Sequence, residues 1–303
     1  MANRLQQFWP VWWQALRPKT LTLAVTPVLC ANALAWASVG WVAPLPIILT
    51  LIAAIGVQVG TNLYNDAADF ERGVDLADRI GPTRVVASGQ LQARQVYRGA
   101  HFAFLLAWLA GGYLIWQGGW FIFLLATLST LAGYAYTAGP KPISATPFGE
   151  WTVFLFFGLI AVIGSYYLQT KTVDGAAIVV GCLVGLPAAA VLMVNNYRDS
   201  SSDARAGRRT LAIVTGPVVA ARIYAFLLFF PFILLPLLGQ LIPGFLSWIW
   251  LPLLMVVAAW KMVSTFKNTP VSPIFNRLLA DTARYQALFG LLLSLALILS
   301  TAW

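Results

Sequence analysis

Nine apolar runs of about twenty residues dominate this chain, near 20–41, 44–66, 96–116, 119–138, 148–168, 175–196, 217–239, 245–265 and 283–303. Backbone N–H and C=O groups in hydrocarbon must find partners within the protein, which leaves helices or a closed barrel, and runs of this length suit helices. The expected fold class is therefore all-α, a polytopic membrane bundle of about nine transmembrane helices under a cap of cytosolic loops. A composition of 60% hydrophobic and 10% charged residues excludes an ordinary soluble domain of 303 residues. The segment 1–19 is aromatic and basic and lacks a short apolar core followed by a small-residue cleavage site, so it reads as an interfacial segment. Cys30 and Cys182 fall inside predicted spans and read as small buried residues, neither a disulfide nor a metal site.

The net charge of +9 invites a nucleic-acid reading, but the placement of the basic residues explains it without one. If the N-terminus and the loops after helices two, four, six and eight share one side, every Lys and Arg except Lys171 falls there. Positively charged loops stay in the cytoplasm, so the N-terminus is expected in the cytosol and Trp303 outside. No nucleic-acid partner is expected; membrane lipids are.

The stretch from Asn62 to Gly89 carries half of the chain's ten carboxylates directly after an apolar run. In a helix continuing through Asp69, Asn62, Asn65, Asp66 and Asp69 fall at offsets of three, four and seven and share one face. Gly73 favours a break, which places Asp75, Asp78 and Arg79 on a loop with Arg84. Helix six ends in VNNYRDSSSDARAGRRTLA, where Asn195-x-Tyr197-x-Asp199 repeats Asn62-x-Tyr64-x-Asp66 four helices later. The repetition suggests one domain over 1–303 made of two related halves, about 20–138 and 148–265, with the helix at 283–303 added. A continued helix would gather Asn195, Asn196, Asp199 and Asp203 on one face, followed by Arg205, Arg208 and Arg209. Carboxylates at helix ends with arginines beside them suit a hard cation and a phosphorylated ligand, because Mg2+ takes one or two protein carboxylates and completes its shell with phosphate and water. An ionised group at mid-depth in a membrane helix costs roughly 2.5–3.5 kcal/mol, which favours function over chance for Asp66, Asp69, Asp199 and Asp203. Glu71, Asp78 and Asp281 read as solvated loop charges. Helix four ends at YAYTAGPKP, which leaves Tyr136 and Lys141 near the acidic side, Tyr136 either as an interface anchor or facing a ligand. His101 reads as a packed polar residue, and Asn276, Arg277, Asp281 and Arg284 as lid or interface residues.

NDAAD at 65–69 and DSSSD at 199–203, four helices apart, resemble the UbiA superfamily of intramembrane prenyltransferases, a likeness covering nearly the whole chain. More narrowly, RPKTL, NLYNDxxDFxxGxDxxDRxGPxR, YTxGPxP, a glutamate at Glu150 and NNYRDxxxDxxxGRRTLA resemble the branch that prenylates 1,4-dihydroxy-2-naphthoate in menaquinone synthesis. Two departures stand out. Gly73 occupies the place of a third aspartate, with Asp75 two residues later, and Pro140 stands where many members have a lysine four residues after the tyrosine, with Lys141 one residue late.

The resemblance implies transfer of a polyprenyl group from an allylic polyprenyl diphosphate to 1,4-dihydroxy-2-naphthoate, with loss of diphosphate and carbon dioxide. It implies Mg2+ held by Asp66, Asp69, Asp75, Asp199 and Asp203, and a diphosphate bound through Asn62, Asn65, Arg79, Arg84, Asn195, Arg198, Arg208 and Arg209. Tyr136 and Lys141 join the aspartates as catalytic candidates. Two alternatives remain open: another aromatic acceptor such as 4-hydroxybenzoate, and an ion-coupled carrier, since pseudo-repeats and intramembrane carboxylates mark those too.

Overall fold

The computed structural model describes residues 2–74 and 80–302, and among them every regular element is helical. In order these are α1 (Ala2–Leu16), α2 (Pro18–Val39), α3 (Pro44–Glu71), α4 (Ala93–Ala135), α5 (Gly149–Thr170), α6 (Gly175–Arg198), α7 (Ser200–Arg205), α8 (Leu211–Leu241), α9 (Phe245–Asn268) and α10 (Ile274–Leu299). Eight of them are long and apolar enough to cross a membrane. The 43-residue α4 is folded at Gly119, whose φ of 66° and ψ of −156° are not helical. Phe104 and Tyr134 would stand about 45 Å apart in an unbroken helix, yet their rings lie 4.6 Å apart. The two arms are therefore an antiparallel hairpin, which brings the crossings among the described residues to nine, as expected from the apolar runs.

Chain breaks fall where the local chemistry demands them. Proline occupies the first turn of α2 and of α3, where its missing N–H costs nothing. Gly73, at φ +66°, closes α3 after Glu71, and the Val74 N–H returns to the Asp69 carbonyl at 3.0 Å. Asp174 caps α6 by accepting the Ala177 N–H at 3.0 Å.

The sequence pattern suggested a helix continuous through Asp203. Instead Asp199, at φ −91° and ψ 4°, separates α6 from the short α7. Five polar residues in succession after Arg198 offer local hydrogen bonds that compete with the helix, and the Ser202 hydroxyl donates to the Asp199 carbonyl at 2.8 Å.

The core centres on α6, whose Leu183, Val184, Ala188 and Met193 are buried on all sides. It packs against α5 where Gly158 meets Gly181 and Gly185, a crossing that only small residues permit. Residues Leu155–Ile160 of α5 are π-helical, a local irregularity that often accompanies a functional site. Exposed apolar side chains cover the outside, with Trp9, Trp13 and Trp151 near the acidic end and Trp41, Trp116 and Trp120 near the other, the placement expected of interfacial aromatic residues. Helix α1 lies against the acidic end: Ala15 is buried with Val85, Val86 and Leu63, and the Gln14 amide donates to the Thr83 carbonyl at 2.6 Å.

Candidate active site

The two acidic segments, 130 residues apart in sequence, meet through arginine. Arg208, just past α7, donates Nη2 to Asp69 Oδ1 at 2.5 Å and Nη1 to Asp203 Oδ1 at 3.3 Å, so one guanidinium joins both segments. Asp69 is wholly buried and accepts a second arginine, Arg84 Nη1, at 2.7 Å. Arg84 also donates to Asn65 Oδ1 at 2.8 Å and to the Asn65 carbonyl at 3.1 Å. In the other half Arg198 grips Asp199 with two N–H···O contacts of 2.8 Å and donates to Asn195 Oδ1 at 2.9 Å. Its third arm donates to Asn276 Oδ1 at 3.0 Å, while Asn276 donates to the Ile80 carbonyl at 3.0 Å, so the start of α10 ties the two acidic segments together.

Asp66 differs from the other acids. It is 1% exposed, accepts only a long 3.4 Å contact from the Val85 N–H, and its Oδ1 is buried without a hydrogen-bond partner. An orphaned buried carboxylate oxygen is costly and demands an explanation. Among the described residues no three His, Cys, Asp or Glu side chains converge on one point. The acids instead form pairs interleaved with arginine, an all-oxygen donor set of one or two carboxylates per half. That suits a hard cation that draws its other ligands from a diphosphate.

Beneath this polar layer lies a chamber of about 330 Å³. Arg17, Asn62, Asn65, Arg84, Tyr136, Asn195, Asp199, Asp203 and Arg208 line its polar end. From there it runs past Ala107, Gly111 and Gly164 to Leu114, Ile122 and Leu168, which pack together at its apolar end. Tyr136 thus faces the chamber. Burial, and after it the charge of Glu150, push its phenol above the ordinary tyrosine range, so it remains a donor.

Most of the expected site residues are therefore brought together, though not in identical roles. Asp66 and Asp69 sit behind the chamber wall, and Asp69 reaches it through two arginines that do line it. Arg198 is engaged by Asp199. Lys141 and Arg209 are exposed and do not line the chamber, the Arg209 N–H being tied to the Ala145 carbonyl at 2.9 Å. Asp75, Asp78 and Arg79 lie outside the described residues. His101 packs against Tyr64 and Tyr134, away from the chamber. Arg277, Asp281 and Arg284 form an exposed ion-pair group of little energetic weight. Both cysteines are free.

Sequence reasoning gave no role to Arg17, Ser144 and Asn196, which line the chamber, although Asn196 was placed on the acidic face, and none to Glu150, which lies beside it. Arg17, which opens the RPKTL string, has a left-handed backbone, φ 53° and ψ 62°, rare for a residue with a side chain and not legible in that string. Asn196 and Glu150 are polar residues at or inside predicted spans, a signal that was available.

The model of the UbiA prenyltransferase family matches residues 24–280. Among curated proteins, the 1,4-dihydroxy-2-naphthoate octaprenyltransferase of Haemophilus influenzae is 38% identical over 68% of this chain and 69% of its own length. The protein of the same name from Escherichia coli is 35% identical over 95% of each chain. Among solved structures, a UbiA homolog from Archaeoglobus fulgidus bound to GPP and Mg2+ superposes with a TM-score of 0.70, covering 95% of this chain and 99% of that one, at 18% identity. That last likeness concerns the fold.

Proposed function

Because the chain belongs to the UbiA prenyltransferase family, we propose that it joins an allylic polyprenyl diphosphate to 1,4-dihydroxy-2-naphthoate, releasing diphosphate and carbon dioxide and giving demethylmenaquinone. The observation that carries this reading is the junction of Arg208 with Asp69 and Asp203 directly above an apolar chamber. It offers anion-binding arginines and hard-cation ligands at the mouth of a space that accepts a hydrocarbon tail. The naphthoate as acceptor rests on the two relatives of that name.

Arg84 and Arg208 bind the diphosphate, exchanging part of their hold on Asp69 for phosphate oxygens, which guanidinium groups match in pairs. Asn62, Asn65 and Asn195 orient it from the helix faces. Mg2+ would be held by Asp66 and Asp69 in one half and Asp199 and Asp203 in the other; when bound, it neutralises charge that builds on the leaving diphosphate. Asp75 extends the first set and Arg79 the phosphate contacts. Arg198 positions Asp199 and Asn195. Tyr136 donates its hydroxyl towards the diphosphate end. The apolar chamber walls keep water from the allylic cation, and the electron-rich ring attacks it. Loss of the carboxylate then restores aromaticity. The whole is one prenyltransferase domain of two related halves.

Carboxyl-labelled 1,4-dihydroxy-2-naphthoate tests the reading. Purified protein with Mg2+ and a polyprenyl diphosphate should release labelled carbon dioxide; chelator should stop this, and a saturated prenyl diphosphate should give none. Retention of the label in a prenylated product, or much faster use of 4-hydroxybenzoate, would refute the acceptor. The placement of basic residues supports a bacterial cytoplasmic membrane orientation with the N-terminus and site in the cytosol and the C-terminus outside. A reporter active only in the cytosol, fused after Trp303, should be silent.

A further inference from the structure

A buried carboxylate beside the chamber takes no part in the diphosphate layer. Glu150, in the first turn of α5, is 4% exposed. Its Oε1 accepts the Asn196 amide at 2.9 Å, and its Oε2 is buried with no hydrogen-bond partner. Asn196 lines the chamber, as does Tyr136, which is close enough for the Glu150 charge to act on its phenol. Ser144 supplies a second, independent sign on the same wall. It is 8% exposed, lines the chamber, and its hydroxyl also lacks a partner. Its backbone N–H is tied to the Tyr136 carbonyl at 2.9 Å, which places it next to the tyrosine. Two orphaned polar groups, the Ser144 hydroxyl on the chamber wall and Glu150 Oε2 behind Asn196, are unfavourable unless a ligand satisfies them.

We propose that Glu150 and Ser144 form the subsite for the aromatic acceptor, with Glu150 receiving the ring hydroxyl next to the attacked carbon and Ser144 donating to the carboxylate. This rests on the acceptor class proposed above. In 1,4-dihydroxy-2-naphthoate only the 1-hydroxyl is conjugated with the carboxylate-bearing carbon; the 4-hydroxyl is meta to it. As the ring attacks, the 1-hydroxyl proton passes to Glu150 Oε2 and its electron pair enters the ring. The new carbon–carbon bond forms while the allylic carbon–oxygen bond breaks. The intermediate is a β-keto acid, which loses carbon dioxide; the electron pair of the broken bond returns through the ring to the 1-oxygen, which takes its proton back from Glu150. No proton is gained or lost overall, which accounts for a base with no route to solvent of its own.

Glu150→Gln is the informative change. With its carbonyl kept on the Asn196 amide, the new NH2 group stands where Oε2 was and meets the hydroxyl as donor against donor. A positioned proton acceptor contributes roughly 10²–10⁴-fold, so kcat for carbon dioxide release should fall at least about 100-fold, while equilibrium binding of labelled geranyl diphosphate changes less than twofold. With 1-methoxy-4-hydroxy-2-naphthoate, which has no proton to give, wild type and variant should be equally slow; a merely structural defect would preserve the gap. Ser144→Ala should raise the acceptor KM about tenfold, the worth of one hydrogen bond to a charged group, and leave geranyl diphosphate binding alone. The proposal is overturned if Glu150→Gln stays within threefold of wild type, if the gap persists with the methoxy substrate, or if Ser144→Ala leaves the acceptor KM unchanged. Wild type that releases no labelled carbon dioxide would instead overturn the acceptor assignment, and this subsite with it.

Discussion

Asp69→Asn and Asp66→Asn are matched substitutions on one turn of α3, and the structure gives them opposite effects on stability. Asp69 is wholly buried between Arg84 and Arg208, whose side chains are themselves 8% and 12% exposed. The amide keeps the volume and removes the one negative charge that both guanidinium groups share. Breaking a buried pair from one side costs roughly 3–5 kcal/mol, and here both guanidinium groups lose a carboxylate, Arg208 keeping Asp203. At roughly 2–4 °C per kcal/mol, the apparent Tm should fall on the order of 10 °C. Asp66 accepts one long contact, and its other oxygen has no partner. Its amide gives up less than about 1 kcal/mol of hydrogen bonding and relieves the burial of an unpaired charge, so the Tm should stay within about 2 °C or rise. Turnover should disappear in both. The assay is tryptophan-fluorescence melting in detergent beside carbon dioxide release, repeated with a prenyl diphosphate present. Diphosphate should recover part of the Asp69→Asn loss, since it supplies the two arginines with a new anion. Equal melting of Asp69→Asn and wild type, or a fall in Asp66→Asn as deep as in Asp69→Asn, would refute the view that Asp69 is the electrostatic tie between the halves.

Gly158→Val places a Cβ within 2.5 Å of the Gly181 carbonyl oxygen and 2.7 Å of the Gly185 Cα, both backbone atoms that cannot step aside. It should cost at least about 1–3 kcal/mol, and, because Phe157 and Ile160 line the chamber, should lower activity in the protein that remains folded. Gly119→Ala meets no atom within 4 Å, so its cost is backbone strain alone, about 1–3 kcal/mol; a lower Tm with unchanged kcat is expected. Arg208→Lys keeps a charge but cannot reach Asp69 and Asp203 together. Its KM for the prenyl diphosphate should rise at least tenfold, and a wild-type KM would count against Arg208 as a diphosphate ligand.

Much of this molecule was legible as a one-dimensional pattern, because a membrane restricts the alternatives so strongly. The length of each apolar run determined the helices, Gly73 determined where α3 ends, and the offsets of Asn62, Asn65, Asp66 and Asp69 determined that they cluster at the buried end of α3. The repeated Asn-x-Tyr-x-Asp marked both halves of the site. What only the tertiary structure decided is which partner each charge takes. Asp69 is held by Arg84 from the segment after α3 and by Arg208 from beyond α7, Arg198 turns back on its neighbour Asp199, and Lys141 and Arg209 stay exposed and off the chamber although Tyr136, Ser144 and Arg208 line it. Helical periodicity sets which face a residue occupies, but a hydrogen-bond partner depends on how two distant segments dock, and that information is absent from local spacing. The same holds for Glu150 and Ser144. A lone glutamate near the start of an apolar run resembles any boundary charge until packing removes every partner but Asn196 and leaves one oxygen unsatisfied beside a cavity.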